Sequence, residues 1–294
     1  MNNIITVFTP TYNRAHTLSR TYESLESQTC KEFEWIIVDD GSTDNTEECV
    51  KDWIKNASFK IKYIKKENGG LFTGYNTALE HIQTELNVCI DSDDFMPVDA
   101  IENIISLWAN VKTPELAGLI GLDFTLSERP IGGYFNSEGE YYFLDQKYKL
   151  RHAGDTKIVC RTDLMREFAP MQSFGEKNFN PVWYYLKVGE NHKFFVTNTN
   201  FCFVDYQSDG MTASIYSQYA NSPKSFAELR RVYMASRHIP MRRKLIDAAH
   251  YVSSSMLSKD IRFLRKTPNR LLTLTAIPIG IIIYLIIKSK TRTR

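Results

Sequence analysis

The stretch Asn87-Val88-Cys89-Ile90-Asp91-Ser92-Asp93-Asp94 determines the predicted fold. Its first half is mostly apolar and predicts a short buried strand. Carboxylates then follow at Asp91, Asp93 and Asp94. Because like charges at the end of a strand repel one another, we expect a cation or a set of hydrogen-bond donors to compensate them. A simpler alternative is an Asp-rich turn that caps the next helix.

The acidic cluster suits a hard divalent cation. Mg²⁺ is usually bound by one or two carboxylates together with substrate phosphates. In α/β proteins, ligands lie at the carboxyl ends of the strands. We therefore predict that Asp91, Asp93 and Asp94 hold a metal ion and the diphosphate of a ligand.

The first half of the chain alternates strands and helices. Strands are predicted at 4–8, 35–38, 60–64 and 87–90, and the helices that follow them at 16–28, 44–54, 73–82 and 97–108. Residues 9–14 are expected to end the first strand, since Pro and Asn interrupt regular structure. The alternation predicts βαβ units, a parallel sheet and right-handed crossovers.

A second acidic turn places a ligand site at one edge of this sheet. Asp39 and Asp40 follow the second strand, just as Asp91 follows the fourth. The carboxyl ends of parallel strands share one edge, so we expect both acidic turns to face a single ligand.

Beyond residue 112 the pattern is less regular. Strands are predicted at 117–124, 157–160 and 194–206, a loop or hairpin at 129–142, a loop at 173–181 and a turn at 207–210. Residues 215–259 are predicted to be helical and basic on one side. A basic helix face is typical of a solvated surface or of a surface that binds anionic lipid.

Composition sets the class of protein. The chain has 294 residues, 43% hydrophobic and 24% charged, which is enough for one large domain with an appendage or for two domains. A net charge of +2 gives no indication of nucleic-acid binding. The five cysteines are scattered, as in a reduced cytosolic protein. We predict no signal peptide, because the chain enters its first strand almost at once.

The segment 271–287 is apolar apart from two Thr and one Tyr, and it contains Pro278 and Gly280. A transmembrane helix needs about 20 apolar residues, so this length is borderline. Basic residues flank both ends and give no orientation by the positive-inside rule. We predict a membrane-associated tail and leave open whether it crosses or dips into the bilayer. A buried helix is the alternative.

Taken together, these motifs resemble those of the family 2 glycosyltransferases, whose catalytic domain has the GT-A fold. The motifs of the first half are Thr9-Pro10-Thr11-Tyr12-Asn13-Arg14, Ile36-Ile37-Val38-Asp39-Asp40-Gly41-Ser42-Thr43-Asp44, Asn68-Gly69-Gly70 with Asn76, and Asp91-Ser92-Asp93-Asp94. Gly154-Asp155, Gly175-Glu176-Lys177 and 206–212 look like the acceptor half of bacterial members that build surface polysaccharides. The resemblance implies a Rossmann-like, mostly parallel sheet flanked by helices, with a helical C-terminal extension.

The resemblance also implies roles for individual residues. Donor-binding residues are then Pro10, Thr11, Tyr12, Asp39, Asp40, Asn68, Gly69, Asn76, Asp91 and Ser92. Asp40 accepts a hydrogen bond from a uracil-type ring, and Tyr12 stacks on the base or, alternatively, is a core aromatic. Asp93 and Asp94 bind Mn²⁺ or Mg²⁺. Glu176 is the general base with Asp155 in reserve, although Glu176 could instead form a surface ion pair.

The implied activity is an inverting, metal-dependent transfer of sugar from a nucleotide-sugar donor, in this family often a UDP-sugar. The acceptor is a hydroxyl of a saccharide or a lipid-linked saccharide at the cytoplasmic face of the membrane. The predicted domains are 1–213 (donor half 1–112, acceptor half 113–213), a basic helical extension at 214–270 and the tail at 271–294.

Two competing functions are a nucleotidyltransferase that makes the nucleotide sugar and a non-catalytic GT-A-like binding protein. The loop at 9–14 lacks the Gly residues of a triphosphate-binding loop, which disfavours the first. Leu71, Phe72 and Tyr75 stand where relatives often have basic residues, which leaves room for the second.

Overall fold

The computed structural model describes residues 3–205 and 215–292. It forms two compact units, of which unit 1 comprises 1–171 with 191–207, and unit 2 comprises 172–190 with 208–294. This division differs from the predicted boundary, because 172–190 groups with the C-terminal helices. The predicted turn at 207–210 lies outside the described residues.

The first half of unit 1 has the predicted alternation of strand and helix. Its elements are β1 (Ile5–Thr11), α1 (Ala15–Glu26), β2 (Phe33–Asp39), α2 (Thr46–Asn56), β3 (Lys60–Lys65), α3 (Leu71–His81), β4 (Leu86–Cys89) and α4 (Ala100–Val111). β1, β2, β3 and β4 pair in parallel, with β1 between β2 and β4. The predicted parallel arrangement of this half is therefore confirmed.

β1 is longer than the sequence pattern predicts. Pro10 lies inside the strand opposite Val38, and Thr11 lies opposite Asp39. The prediction that 9–14 would end the strand was wrong for its first residues. β4 pairs with β1 only as far as Phe8, so beyond that point β1 has a partner on one side, where a missing proline N–H is tolerated.

The second half of unit 1 adds strands in a different order. Its elements are β5 (Leu116–Thr125), β6 (Gly139–Tyr142), α5 (Asp145–Tyr148), β7 (Thr156–Arg161), α6 (Thr162–Arg166) and, beyond unit 2's first segment, β8 (Lys193–Val204). The eight-stranded sheet has the order β3-β2-β1-β4-β7-β5-β8-β6. β7 is antiparallel to both β4 and β5. A Cβ added at Gly121 would lie 2.2 Å from the ring of Phe201, so only glycine fits there.

The core of unit 1 lies between the sheet and its helices. The buried strands supply Val7, Trp35 and Val88, while α1 and α4 supply Leu18 and Ile104. These strands read as continuous apolar runs because parallel strands are covered on both faces. The packing fixes the carboxyl ends of β1, β2 and β4, from which the candidate site is built.

Unit 2 is helical in its described residues. It contains α7 (Val182–Val188), α8 (Ile215–Asn221), α9 (Pro223–Ala235), α10 (Met241–Leu257), α11 (Phe263–Lys266) and α12 (Arg270–Arg292). Its core includes Met234, Ala249, Tyr251 and Ala276. α12 covers the apolar segment predicted at 271–287 and continues through Pro278 as one helix.

Candidate active site

The turn after β2 is held by a buried carboxylate. Asp39 accepts a hydrogen bond of 2.7 Å from the Ser42 backbone N–H and another from the Tyr63 hydroxyl. Burial and this bond to Asp39 raise the pKa of Tyr63, so the phenol keeps its proton. Asp39 was predicted to bind the donor, and the structure shows it stabilising the turn that carries Asp40.

Asp40 anchors the loop between β3 and α3. One carboxylate oxygen accepts from Lys66 Nζ at 2.5 Å and from the Gly69 N–H at 2.9 Å, and the other accepts from the Gly70 N–H at 2.8 Å. Asn68 donates to the backbone oxygen of Asp40. The structure thus brings the predicted residues Asp40, Asn68 and Gly69 together.

Lys66 is a site residue that the sequence analysis missed. Its ammonium group also bonds to Thr73 Oγ1 at 2.8 Å. Relatives of the resembled family often carry a basic residue shortly after the Asn-Gly-Gly turn. In this chain the basic residue, Lys66, lies just before that turn. The sequence does show a Lys two residues before Asn68. Its pairing could not be predicted from the sequence, because its partner Asp40 is 26 positions away.

The loop after β1 packs against the turn after β2. The Asn13 N–H donates to Ser42 Oγ at 2.9 Å, and Asn13 Oδ1 accepts from the Thr43 N–H at 2.8 Å. Tyr12 is 48% exposed, so it is not the core aromatic that the sequence left open. Thr11 Oγ1 is buried without a hydrogen-bond partner among the described residues. An unpaired buried hydroxyl and an exposed ring suit a ligand-binding edge.

The acidic turn after β4 is fixed through its backbone. Arg20 of α1 donates to the Asp93 carbonyl at 2.5 Å, and Thr21 donates to the Asp94 carbonyl at 2.8 Å. The Asp94 N–H in turn donates to the Asp91 carbonyl at 3.0 Å. These bonds leave the side chain of Asp91 exposed and that of Asp93 half-buried.

Asp94 faces a buried lysine. Lys157 Nζ of β7 lies 3.3 Å from Asp94 Oδ2 and 4.0 Å from Asp123 Oδ1 of β5. All three side chains are nearly inaccessible to solvent. Asp94 was predicted to be a metal ligand; the structure shows its carboxylate in an ion pair, because β7 inserts beside β4 and brings Lys157 to it.

The group formed by Asp91, Asp93, Asp94, Asp123 and Lys157 contains four acids and one basic residue. Burial and the neighbouring carboxylates raise the pKa of Asp94 to about 7 and that of Asp123 to about 6, against the opposing effect of Lys157. Burial and Asp91 also raise the pKa of Asp93, which Arg14 counteracts. Burial opposes the charge on Lys157, but its carboxylate neighbours raise its pKa and keep it protonated. A bound cation would favour the ionised form of each acid.

The fit of a divalent ion rests on Asp91 and Asp93. Within 3–205 and 215–292, no three His, Cys, Asp or Glu side chains form a ready metal cage. Mg²⁺ does not require one, since it takes one or two carboxylates and completes its shell with water and phosphate oxygens. The exposed Asp91 and the half-buried Asp93, side by side at the end of a strand, meet that requirement.

Three further predicted residues, Asn76, Ser92 and Asp155, lie in unit 1. Asn76 makes two hydrogen bonds with the Met171 backbone, at 3.0 and 3.1 Å, and so joins α3 to that segment. Ser92 is buried in the acidic turn. Asp155 lies beside His152, whose pKa is lowered by burial against the opposing effect of Asp155.

Glu176, the predicted general base, caps a helix in unit 2. Its two carboxylate oxygens accept from the Lys224 and Ser225 N–H groups at 3.0 and 2.7 Å, and from Ser225 Oγ at 2.7 Å. The first N–H groups of a helix lack internal partners, and a carboxylate there also interacts favourably with the helix dipole. The role of Glu176 as a base stays a prediction.

Comparisons with known proteins extend this description. Residues 6–113 match the family described as Glycosyl transferase family 2. The chain is 29% identical over 177 residues to glycosyltransferase GlyA of Streptococcus pneumoniae serotype 4, an alignment that covers 58% of this chain and 24% of GlyA. It is 26% identical over 212 residues to glycosyltransferase GlyG of the same organism, covering 70% of this chain and 69% of GlyG.

Among solved structures, the chain resembles residues 1–349 of S. aureus TarS in complex with UDP-GlcNAc. The TM-score is 0.68 with 17% identity, over 100% of this chain and 92% of the TarS chain. At this identity the likeness concerns the fold. The matched region 6–113 contains both acidic turns and the strand between them. Residues 6–113 therefore match glycosyl transferase family 2, and the chain has the GT-A fold of the structures it resembles.

Proposed function

We propose that this protein transfers a sugar from a nucleotide-sugar donor, with inversion, to a hydroxyl of a saccharide or lipid-linked saccharide used in cell-surface polymers. The observation that carries the proposal is the placement of two acidic turns on either side of β1, at the carboxyl ends of β2 and β4. Ligands of α/β sheets bind at such an edge.

The nucleotide is proposed to bind along the turn after β2 and the loop after β1. Tyr12 is free to stack on the base, and Thr11 offers an unpaired hydroxyl. Asp40 selects the base by accepting from its ring N–H, a charge-assisted bond. A UDP-sugar is the favoured donor, because the structurally similar TarS binds UDP-GlcNAc. Lys66 supplies the positive charge that Leu71 and Phe72 do not.

A divalent ion is proposed to bind at Asp93 with Asp91 beside it. When bound, the ion neutralises the charge that develops on the departing diphosphate. Asp94 does not ligate it in this proposal; its pair with Lys157 holds the turn so that the two outer carboxylates face the donor. Arg20 and Thr21 fix the same turn through its carbonyl groups.

The acceptor hydroxyl must lose a proton as it attacks the donor sugar. Glu176 is proposed to take that proton, with Asp155 as the second candidate. One direct displacement needs one base and no covalent enzyme intermediate. For Glu176 to serve as a base, its carboxylate must exchange a hydrogen bond from α9 for one from the acceptor.

The decisive experiment is a thermal-shift screen of nucleotide sugars, each with and without Mn²⁺. A ligand that binds the native state raises the melting temperature as the logarithm of its concentration over Kd. We expect one donor to stabilise the wild type in the presence of Mn²⁺ and to lose that effect in Asp93→Asn. Asp99→Asn, an exposed acid at the start of α4, is the matched control. Release of pyrophosphate from a nucleoside triphosphate would instead identify a nucleotidyltransferase.

A further inference from the structure

The inner face of α12 is committed to protein packing. Thr273, Ala276, Gly280 and Ile287 are buried, and they recur at the spacing of one helix face. A Cβ added at Gly280 would lie 2.6 Å from Val252 and 2.9 Å from the backbone oxygen of Ala249, both on α10. The two helices therefore approach closely along this line and form part of one core.

The outer face of α12 is apolar where a helix on a water-soluble protein is normally charged. No charged residue occurs between Arg270 and Lys288. The side chains of this apolar stripe are well exposed, and they are Leu271, Leu274, Ile279, Ile281, Ile282, Leu285 and Ile286. Leu271 is 78% exposed and Leu285 57%. A contiguous exposed apolar surface of this kind marks an interaction site.

The charge around the apolar stripe identifies the partner. From 261 to the end of the chain there is no Asp or Glu, whereas Lys and Arg occur at both ends of the stripe. Arg262, Arg265 and Arg270 are exposed before it. Lys288 lies 5.1 Å from the ring centre of Tyr284 at the other end, a pairing that suits the lipid headgroup region. Cationic residues around an apolar face complement anionic lipid.

α12 cannot be surrounded by lipid while it keeps this packing. Its partner α10 carries Asp247, which forms ion pairs with Arg243 of the same helix and with Arg230 of α9. If α12 crossed the bilayer, α10 would have to enter the hydrocarbon with these charges, at a high cost in free energy. A helix of 23 residues is long enough to span the bilayer, yet 22% of its apolar window is buried within the protein, on the face that packs against α10.

We propose that α12 lies in the plane of the membrane, half-inserted into one anionic leaflet through the apolar stripe and held on its other side by α10. The partner is the surface of a bilayer that contains acidic phospholipid. This inference specifies how the protein contacts the membrane. It rests on the proposed function only in placing the acceptor at that membrane surface. It needs no nucleotide sugar and no transfer activity.

The test uses the full chain and preformed vesicles of phosphatidylcholine alone or mixed equally with phosphatidylglycerol. We expect flotation with the mixed vesicles, weakened by added salt, and little flotation with phosphatidylcholine alone. Ile282→Asp with Leu285→Asp should lower the partition coefficient at least about tenfold. The matched control is Ile54→Asp with Val98→Asp, two comparably exposed apolar residues at 46% and 54% exposure in unit 1.

Topology is read from a C-terminal epitope tag on the vesicle-bound protein. An in-plane helix leaves the tag open to protease added outside, whereas a spanning helix protects it. A protected tag, equal binding to both kinds of vesicle, or unchanged binding by the double variant would each overturn the proposal. So would a wild-type dimer that the double variant converts to a monomer, since a second copy would then cover the stripe. Donor-induced thermal shifts of the same variant report separately on the proposed function.

Discussion

Lys157 is the residue on which the candidate site depends most. It is buried between Asp94 and Asp123, so removing its charge would leave two carboxylates without a counter-ion in a site of low polarity. We predict that Lys157→Met lowers the free energy of unfolding by about 3–5 kcal/mol, measured by urea denaturation at pH 7. Lys112→Met, which breaks an exposed pair with Glu85, should cost about 1 kcal/mol or less. Equal losses in the two variants would contradict this interpretation.

Glu176 caps α9 and is the proposed base, and substitution can separate the observed role from the proposed one. Gln keeps an oxygen that accepts hydrogen bonds from α9 but cannot take a proton, whereas Ala loses both functions. We predict that Glu176→Gln reduces kcat by about 10²- to 10⁴-fold and lowers the melting temperature less than Glu176→Ala does, because its one amide oxygen still accepts hydrogen bonds from the start of α9. Glu176→Ala should show the same loss of kcat and a further loss of about 1 kcal/mol in stability.

The control for this pair is Glu190→Gln, because Glu190 also accepts hydrogen bonds from a backbone N–H and a side chain in unit 2. It should retain transfer activity. If Glu176→Gln keeps full activity, Glu176 is a cap alone, and the same measurement on Asp155→Asn then tests the second candidate base.

His250 should make unit 2 sensitive to acid. Burial, and then the charges of Arg230 and Arg243, lower the pKa of His250 to about 4. The unfolded chain binds the proton near the usual pKa of about 6.5, so the stability that His250 contributes is present above that pH and is lost as the pH falls toward 4. Replacing His250 by Phe should reduce the loss of stability between pH 7 and 5 by about 1–2 kcal/mol. His16→Gln, at an exposed position, should leave that loss unchanged.

At the scale of elements, the sequence predicted the first half of the sheet well. β1, β2 and β4 are buried apolar runs and β3 alternates Lys with apolar residues. Helical spacing separates the four strands, and periodicity can detect these local patterns. The second half was less predictable, because β7 runs antiparallel between β4 and β5 and no local pattern encodes that order. The pairing of Lys157 with Asp94 follows from this insertion. The partners of Asp40 could not be predicted for the same reason, since they come from a loop that tertiary structure brings to it.

The α10–α12 pair depends on a glycine. Gly280 sits where a Cβ would meet Val252 at 2.6 Å and the Ala249 carbonyl at 2.9 Å, a contact that involves backbone and cannot relax by rotating one side chain. We predict that Gly280→Val costs about 1–3 kcal/mol by forcing the helices apart, and that urea denaturation detects the change. Ile279→Val, on the neighbouring exposed position, should change stability by less than about 0.5 kcal/mol. A stable Gly280→Val variant would show that α12 does not pack as described.

At the scale of the whole molecule, α12 belongs both to the core of unit 2 and to the proposed membrane surface. A soluble enzyme cannot therefore be obtained simply by deleting the apolar tail. Truncation after Thr267 would expose Ala248, Ala249 and Val252, which are at most 1% accessible in the full chain. We predict that the truncated protein melts at least about 5 °C lower and elutes as aggregates in size-exclusion chromatography, because it loses several kcal/mol of apolar burial.

The control for the truncation is the double variant Ile282→Asp with Leu285→Asp. It keeps the cover over α10 and changes only the exposed stripe, so it should elute as a discrete species and melt near the wild-type temperature while losing vesicle binding. A truncated chain that is monodisperse and as stable as the wild type would show that α12 is dispensable to the fold, and the helix could then leave α10 to cross the bilayer. The in-plane arrangement requires the opposite result, because the same packing that stabilises unit 2 is what prevents lipid from surrounding α12.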